Sequence, residues 1–468
     1  MLLFKSLVVK TLLFILIISG SYSSMAQDIN DNISTEISGN IFQKAQSHYD
    51  RIPALQQWMQ ANNYSSRAAA GHVLFRWPLR VNSNYDDIPG YYMIQNYVDQ
   101  DWSDGMGKEW YCKFRTYDGH EGIDINLFPL WWRMKDNNNV FAAAAAAGIV
   151  IFVENDIVND NNCAPTNEAG NVVAILHSDS SITRYAHLKT GTARVTEGQF
   201  VQEGQLLAFI GSSGRSSNPH LHFDVRDKNN SWIEPNSSSK GFCNIRNIDS
   251  WWINQKQYWE PAVLRVMTHS GTPYMQGWIN DEYKVGFCPE VEDDKAQNHF
   301  DVNASITVGI ALRDVHPSDS VFVTIHAPNG SVVRSYKQAM SNSGLSDRYS
   351  RSYRTNRFLL PNDNVVGTYT INVLYRHLIF DENVSPGAFA TKAYNHYFTV
   401  GCKPDETLSG NLLGSTGYIT ANSIKATQNI LGGKVMYQSA GYIQLNPGFK
   451  ATEGTVFKAR IRDCNFSE

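Results

Sequence analysis

The chain has 468 residues, a net charge of -4 at pH 7 and a hydrophobic content of 42%. A chain of this length accommodates about three domains, and its apolar content is sufficient for buried cores. The nearly balanced charge, without a basic stripe, argues against nucleic acid as a partner.

The first residues have the pattern of a secretory signal peptide. Lys5 and Lys10 precede a wholly apolar run at residues 12–18, and small residues follow at 24–26. The apolar run is too short to span a bilayer, and no later stretch approaches the length of a membrane helix. We therefore expect a signal peptide over 1–26, cleavage near Ala26, and a protein that is secreted or held at the cell surface or in the periplasm.

All cysteines follow this segment, and their even number in an exported chain predicts disulfides. Six cysteines allow fifteen pairings, and the sequence does not choose among them. Cys112 with Cys163, which flank the first histidine motif, and Cys288 with Cys402, at the two ends of one apparent domain, are the attractive pairs. A thiolate zinc site is disfavoured because no C-x-x-C spacing occurs.

Residues 27–70 predict an N-terminal helical segment, most clearly at residues 54–59, where apolar residues recur at helical intervals. Two roles remain open for it: an inhibitory pro-segment over a cleft, or a helix packed on the next domain. The second is the simpler. Residues 71–260 are instead rich in short strands. The runs 171–177 and 181–188, with glycine turns after them, predict a compact antiparallel sheet or barrel.

Histidine and carboxylate residues recur within this β-rich part. His120 and Asp124 lie four positions apart, His187 ends a strand-like run, and His220 and His222 share one face of a strand because side chains alternate. Imidazole and carboxylate are zinc ligands in hydrolases, and three protein ligands leave one position open for water. The sequence therefore predicts one zinc ion per chain and a hydrolytic site.

Several blocks together resemble the LytM/lysostaphin type of zinc metallopeptidase, the M23 family. They are His120-x-x-x-Asp124, Tyr185-x-His187-Leu188, the glycine turns at 198, 204 and 211, and Gly214 to Phe223 with its Pro-His-Leu-His sequence. The resemblance covers roughly residues 115 to 226. It implies that His120, Asp124 and His222 are the metal ligands and that His187 and His220 are catalytic.

The resemblance also implies the activity, an exported zinc endopeptidase acting on the peptide part of bacterial peptidoglycan, either stem or cross-bridge. The alternative is a catalytically silent wall-binding or scaffold protein that retains the fold. A lipoyl-type carrier barrel is disfavoured because no exposed lysine in a tight hairpin is apparent.

Two features near the motifs depart from this scheme or lie outside it. The insert Leu127–Lys135, with Trp131 and Trp132, is expected at the rim of the cleft, where it would affect binding; alternatively, the tryptophans cover a sheet edge. Outside the five-residue set, His177 is expected to be structural, or at most a partner behind a site residue, and Glu121 to be solvated. Tyr117 and Tyr111, which precede the first motif, are left outside the predicted set.

The remaining chain predicts two further β modules without catalytic residues. Short strands and hairpin signals over 285–402 indicate an immunoglobulin-like β-sandwich. Apolar steps separated by glycine over 403–468 resemble a small β-solenoid found at the ends of exported Bacteroidetes proteins. The resemblance implies a role in attachment to the cell surface. The expected fold class is mainly β throughout.

Overall fold

The computed structural model describes residues 39–62, 68–69, 71–82, 90–101, 105, 107–158, 170–237, 249–271, 296–340, 349–359, 366–379, 387–401, 403–413, 416–432, 434–439, 441–453 and 455–461. The predicted signal peptide and every cysteine except Cys112 lie outside these ranges, so the disulfides stay a prediction. No helix within the described ranges is both long and apolar enough to cross a membrane. The described residues divide into two compact units, which meet in sequence between Glu260 and Pro261.

The first unit contains short helices and a series of strands. Its helices are α1 (residues 39–46), a 3-10 turn (Tyr49–Arg51), α2 (Ile52–Ala61) and α3 (Trp131–Asp136). Its strands are β1 (Ala68–Ala69), β2 (His72–Val73), β3 (Leu79–Val81), β4 (Tyr92–Asn96), β5 (Ile123–Leu127), β6 (Val140–Ala143), β7 (Gly148–Glu154), β8 (Asn171–Leu176), β9 (Ile182–Leu188), β10 (Phe200–Val201), β11 (Leu206–Phe209), β12 (His220–Arg226) and β13 (Trp232–Ile233).

Most of these strands form one antiparallel sheet in the order β10-β7-β8-β9-β12-β5-β4, with β13 beside β12; β11, β6 and β3 form a second sheet. The prediction of a mainly β, antiparallel domain is confirmed. The strand-like runs predicted at 171–177 and 181–188 form the antiparallel pair β8 and β9. Every residue of β8 is buried, because both faces of the sheet are covered at this point.

The two faces of the large sheet carry different kinds of side chain. Asp124 on β5, Ala186 on β9 and His222 on β12 are paired across neighbouring strands, so their side chains share one face. The next residue of β12, Phe223, points to the opposite face and packs there against Trp252. The polar motif residues and the aromatic core therefore lie on opposite sides of the same strands.

The N-terminal helices cover part of the face that carries His222. Apolar residues of α1 and α2, including Ile41 and Leu55, share one buried cluster with Ile151, Ala174 and Ala186 of the sheet. The structure thus shows a helical segment packed on the domain, beside the polar site. Ala68–Ala69, at the end of the predicted range, is a strand paired with β2, and the range 27–70 stays a prediction.

The insert after β5 is internal. Trp131 and Trp132 are only 6% and 7% exposed, and Met134 is fully buried. The expectation of an aromatic rim on the cleft is therefore wrong for these two side chains. Apolar composition alone could not distinguish an exposed binding surface from a buried one, and here the three residues lie on a short helix that packs into the unit.

The second unit begins with two sheets that share one apolar core. Their strands are β14 (Ala262–His269), β15 (His299–Phe300), β16 (Ser305–Val315), β17 (Ser320–His326), β18 (Val332–Ala339), β19 (Tyr349–Leu359), β20 (Gly367–Leu378) and β21 (Phe389–Val400). The sheet orders are β14-β16-β19 and β15-β21-β20-β17-β18. Strand β14 precedes residue 285, and the predicted boundary itself lies outside the described residues. The immunoglobulin-like label stays a prediction.

The C-terminal strands pair in parallel. They are β22 (Lys403–Leu408), β23 (Asn411–Leu413), β24 (Thr416–Ala426), β25 (Asn429–Gly432), β26 (Lys434–Ser439), β27 (Tyr442–Leu445), β28 (Lys450–Ala451) and β29 (Val456–Ile461). They form the sheets β22-β24-β26-β29, with β27 beside β24, and β23-β25-β28, around a small core with Ile424, Ile430 and Tyr437. Parallel stacking of short strands is the arrangement expected for repeats, and the module's identity stays a prediction.

Candidate metal and catalytic site

Three adjacent strands bring the motif histidines to one place. His120 ends the turn before β5, and Gly119 in that turn has a φ of +74°, which a glycine adopts without strain. Asp124 is the second residue of β5, and His222 is paired with it on β12. His187, near the end of β9, has a φ of +60°.

His120, Asp124 and His222 form a cluster whose ligand atoms all lie within 4.8 Å of one another. His120 and Asp124 are buried, and the His222 side chain is 15% exposed. The structure therefore brings together the three residues that the sequence predicted as metal ligands, although they come from two segments about a hundred residues apart.

The donor atoms of this cluster fit a divalent cation. His120 donates from Nδ1 to the Tyr97 carbonyl at 2.7 Å, so its Nε2 carries a lone pair. The Nε2 atom lies 3.2 Å from Asp124 Oδ2. His222 Nδ1 lies 2.9 Å from Asp124 Oδ1. Lone pairs facing a carboxylate require a positive charge between them, either a proton or a metal ion. Two imidazole nitrogens and one carboxylate oxygen are a donor set that suits Zn2+.

The pKa shifts of the cluster agree with this electrostatic description. Burial alone would lower the pKa of His120, but the Asp124 carboxylate outweighs it, and the pKa is raised. Burial would likewise raise the pKa of Asp124, but His120 and His220 hold it well below its ordinary value. The cluster therefore keeps an ionised carboxylate and favours positive charge beside it.

His187 and His220 lie next to the cluster and face each other. Their ring centroids are 4.6 Å apart, and His187 is 6.0 Å from the ring of His222. His187 donates from Nδ1 to the Ser213 carbonyl at 2.8 Å, and His220 donates from Nδ1 to the Asn218 carbonyl at 2.7 Å. These bonds leave both Nε2 atoms as acceptors.

Both of these histidines are neutral at physiological pH. Burial, together with His220 and His222, lowers the pKa of His187 to about 3. Burial also lowers the pKa of His220, against the opposing effect of Asp124. A neutral imidazole with a free Nε2 can accept a proton, which is what a general base requires.

Several supporting residues were not predicted. Gly122 lies against the His222 ring, and Asn96 donates from Nδ2 to Asp124 Oδ2 at 2.9 Å. Buried Asp224 lies 3.6 Å from His222 Nε2. Strand alternation was a usable signal for Asp224, because it follows His222 by two positions on the same face; the partnership of Asn96 had no local signal.

Two of the secondary expectations can be compared with the structure. His177 is fully buried and bonds to the Ala147 carbonyl and to Thr183 Oγ1, as a structural residue does. Glu121 is not simply solvated, because it forms an ion pair with Arg226. Tyr117, which was left outside the predicted set, has its ring 4.5 Å from that of His120.

Residues 118–235 match the sequence model of peptidase family M23. This part of the chain is an M23 peptidase domain. The M23 domain contains His120, Asp124, His187, His220 and His222, and the resemblance inferred from the sequence is confirmed to this extent. The matched segment lies entirely within the first unit.

Curated relatives match short segments only. Peptidoglycan DD-endopeptidase ShyB of Vibrio cholerae is 44% identical over 61 residues, which cover 13% of this chain and 14% of that protein. DD-carboxypeptidase/endopeptidase Mpg of Neisseria meningitidis is 44% identical over 57 residues, which cover 12% and 13%. Among solved structures, a zinc-containing peptidase from Vibrio cholerae is 26% identical with a TM-score of 0.22, and the match covers 35% of this chain and 39% of that one.

Proposed function

We propose that this protein is an exported zinc-dependent endopeptidase that cleaves peptide bonds in the stems or cross-bridges of bacterial peptidoglycan. The observation that carries the proposal is the convergence of His120, Asp124 and His222 within 4.8 Å, beside two neutral histidines, in an M23 domain. The name of the relative ShyB, a peptidoglycan DD-endopeptidase, supports the substrate class. The pattern of residues 1–26 supports export.

Each residue has a defined part in this proposal. His120 Nε2, Asp124 and His222 Nδ1 would hold one zinc ion, which supplies Lewis acidity toward the scissile carbonyl and lowers the pKa of a water molecule. His187 and His220 present Nε2 acceptors in the same cleft. One of them takes the proton of the attacking water, and an imidazolium N–H then stabilises the oxyanion or protonates the leaving amine. The Ser213 and Asn218 carbonyls fix the tautomer that makes this possible.

The metal assignment is tested by measuring zinc content and digestion of purified peptidoglycan in parallel. We expect about one zinc per wild-type chain and chelator-sensitive release of peptide fragments. His222→Ala is expected to lose both. His326→Ala, on β17 in the second unit, is the matched histidine control and is expected to keep both. Loss of zinc from His222→Ala with unchanged digestion would contradict the assignment.

A second variant separates ligands from catalytic residues. His187→Ala is expected to retain zinc and to lose most of the cleavage rate, because it removes a proton acceptor and no metal ligand. Loss of zinc in this variant would show that the division of roles is wrong. Wild-type chain that binds zinc and peptidoglycan without releasing fragments would favour the alternative, a silent wall-binding protein.

The remaining assignments complete the proposal. Disulfides, suggested by the even cysteine count, suit an exported chain. The β modules of the second unit would attach or position the enzyme at the cell surface; they contain no cluster resembling the one in the M23 domain within the described residues.

A further inference from the structure

The loop between β11 and β12 carries an exposed arginine beside the catalytic histidines. Ser213 accepts the hydrogen bond of His187, and Ser216 Oγ lies 3.2 Å from His220 Nδ1. Gly214 has a φ of +71°, and Ser216 N–H bonds to the Gly214 carbonyl at 2.9 Å, so the chain turns tightly here. Arg215, at the tip of this turn, is exposed although both its neighbours are buried.

The Arg215 guanidinium has no hydrogen bond or ion pair with any other described residue. The carboxylates around the site are already engaged. Asp124 lies against His120 and His222, Asp224 accepts from Arg184, and Glu121 pairs with Arg226. Arg215 therefore adds a positive charge at the site, and these internal carboxylates do not neutralise that charge.

A second residue, Tyr117, places Arg215 near the metal-ligand cluster. Its ring lies 4.5 Å from that of His120, and the residue is 53% exposed. The Arg215 guanidinium lies within electrostatic reach of the Tyr117 side chain. Arg215 is therefore close to a tyrosine whose ring packs against the candidate ligand His120.

The geometry points to Arg215 as a substrate-binding residue that holds a carboxylate of the peptide next to the bond being cleaved. This inference rests on the proposed peptidase function. A guanidinium offers a planar pair of N–H donors that match a carboxylate. A residue on the loop that positions both catalytic histidines would hold the substrate near their Nε2 atoms. The substrate class is then a peptide with a free carboxylate beside the scissile bond.

That carboxylate has two possible sources, a chain terminus and an acidic side chain. Two pairs of synthetic peptides distinguish them. One pair ends just after the scissile bond with a free or an amidated C-terminus, and the other carries Glu or Gln next to an internal bond. Rates are measured for zinc-loaded wild type, Arg215→Gln, Arg215→Lys and the matched control Arg334→Gln, which changes an exposed arginine on β18.

We expect wild type to have a KM about tenfold lower for the acidic member of one pair, as a charge-assisted hydrogen bond would give. Arg215→Gln is expected to lose this discrimination with kcat within about twofold and unchanged zinc content, and Arg215→Lys to retain part of it. Arg334→Gln should match wild type. The inference is overturned if Arg215→Gln still has a lower KM for the acidic peptide, or if it loses the same fraction of its cleavage rate for both members of a pair.

Fluorescence anisotropy with the same labelled peptides separates this inference from the proposed function. If wild type cleaves none of the peptides but binds an acidic member more tightly than its neutral partner, and Arg215→Gln removes the difference, the carboxylate site stands and the peptidase proposal fails. If cleavage occurs without any preference in rate or binding, the peptidase proposal stands and the role of Arg215 fails.

Discussion

Gly122 lies so close to the imidazole of His222 that a Cβ atom at residue 122 would be 2.5 Å from His222 Nε2 and 2.7 Å from Cε1. The Phe223 carbonyl oxygen, at 3.0 Å from the same position, closes the other side. Position 122, between His120 and Asp124, therefore requires a glycine. The absence of a side chain there lets the candidate ligand His222, on another strand, take its observed position.

The first prediction follows from this contact. Gly122→Ala is expected to displace the His222 ring and to lower zinc affinity about 10- to 100-fold, the usual cost of disturbing a ligand's support. Competition with a metal chelator measures the affinity. Gly39→Ala, in α1, has open space around its Cβ position and serves as the control. Wild-type zinc affinity in Gly122→Ala would contradict the prediction.

The second prediction concerns Asp224, which is fully buried behind His222. Burial alone would raise the pKa of Asp224, but Arg184 and Arg226 hold it below its ordinary value. Asp224→Asn is expected to lower zinc affinity about tenfold or more, because His222 loses a charged neighbour. It is also expected to destabilise the fold by about 3–5 kcal/mol, because Arg184, whose side chain is 12% exposed, loses its carboxylate partner.

The control for Asp224→Asn is Glu203→Gln, which removes one partner of the surface pair Arg76–Glu203. Exposed pairs contribute about 0–1 kcal/mol, so this variant should resemble wild type. Zinc affinity is measured by chelator competition and stability by urea unfolding. Unchanged zinc affinity in folded Asp224→Asn would show that Asp224 supports the fold but not the ligand.

Two parts of the candidate site could be predicted from local signals, whereas the roles of its five residues follow from the resemblance to the M23 family and stay predictions. Alternation along one strand placed His220 and His222 together, and four-residue spacing linked His120 to Asp124. The partner of Asp124 could not be found in this way, since Asn96 lies 28 residues earlier and meets it through the register of β4 with β5. Register across a sheet depends on the whole hydrophobic pattern and not on a motif.

Burial was the other quantity that the local sequence did not determine. The sequence around Trp131 and Trp132 would read the same whether these side chains lined a cleft or filled a core. In the structure they are buried in a core. Glu121 likewise gave no sign of its partner, because Arg226 lies 105 residues away. The fold class, in contrast, followed from short apolar runs and glycine turns repeated along the chain.

The third prediction is a pH dependence that arises from Glu234. This residue is fully buried, and burial raises its pKa to about 8 against the opposing bonds from Asn236. Between its ordinary value of 4.5 and about 8, the unfolded chain loses the proton and the folded chain retains it. The contribution of Glu234 therefore lowers the free energy of unfolding as pH rises, by about 1.4 kcal/mol per pH unit in this window.

Glu234→Gln has no proton to lose, so its free energy of unfolding should depend less on pH between 5 and 8. Urea unfolding at several pH values, with zinc in constant excess, measures both slopes. We expect the variant to gain stability relative to wild type toward pH 8. Parallel curves for the two proteins would show that Glu234 does not titrate in this range.

The fourth prediction tests the contact between the N-terminal helices and the sheet. Leu55 is fully buried in the cluster that includes Ala186, whereas Gln56 beside it is exposed. Leu55→Ala is expected to lower the free energy of unfolding by about 2–5 kcal/mol, and Gln56→Ala should change it little. Thermal and urea unfolding provide the measurement.

Peptidoglycan digestion by the same two variants distinguishes packing from inhibition. If the helices only support the domain, folded Leu55→Ala should cleave no faster than wild type. A rate increase in Leu55→Ala that Gln56→Ala does not share would show that the helices restrain the site as well as stabilise it.

Three of the four histidines of the cleft are anchored by carbonyl groups of the main chain: His120 by Tyr97, His187 by Ser213 and His220 by Asn218. Because every amino acid supplies the same carbonyl, side-chain replacement at these three anchors leaves the acceptor in place. An alanine scan would therefore miss these three contacts. Changes in loop length or backbone conformation are what would disturb them, so these loops can vary in composition more readily than in length.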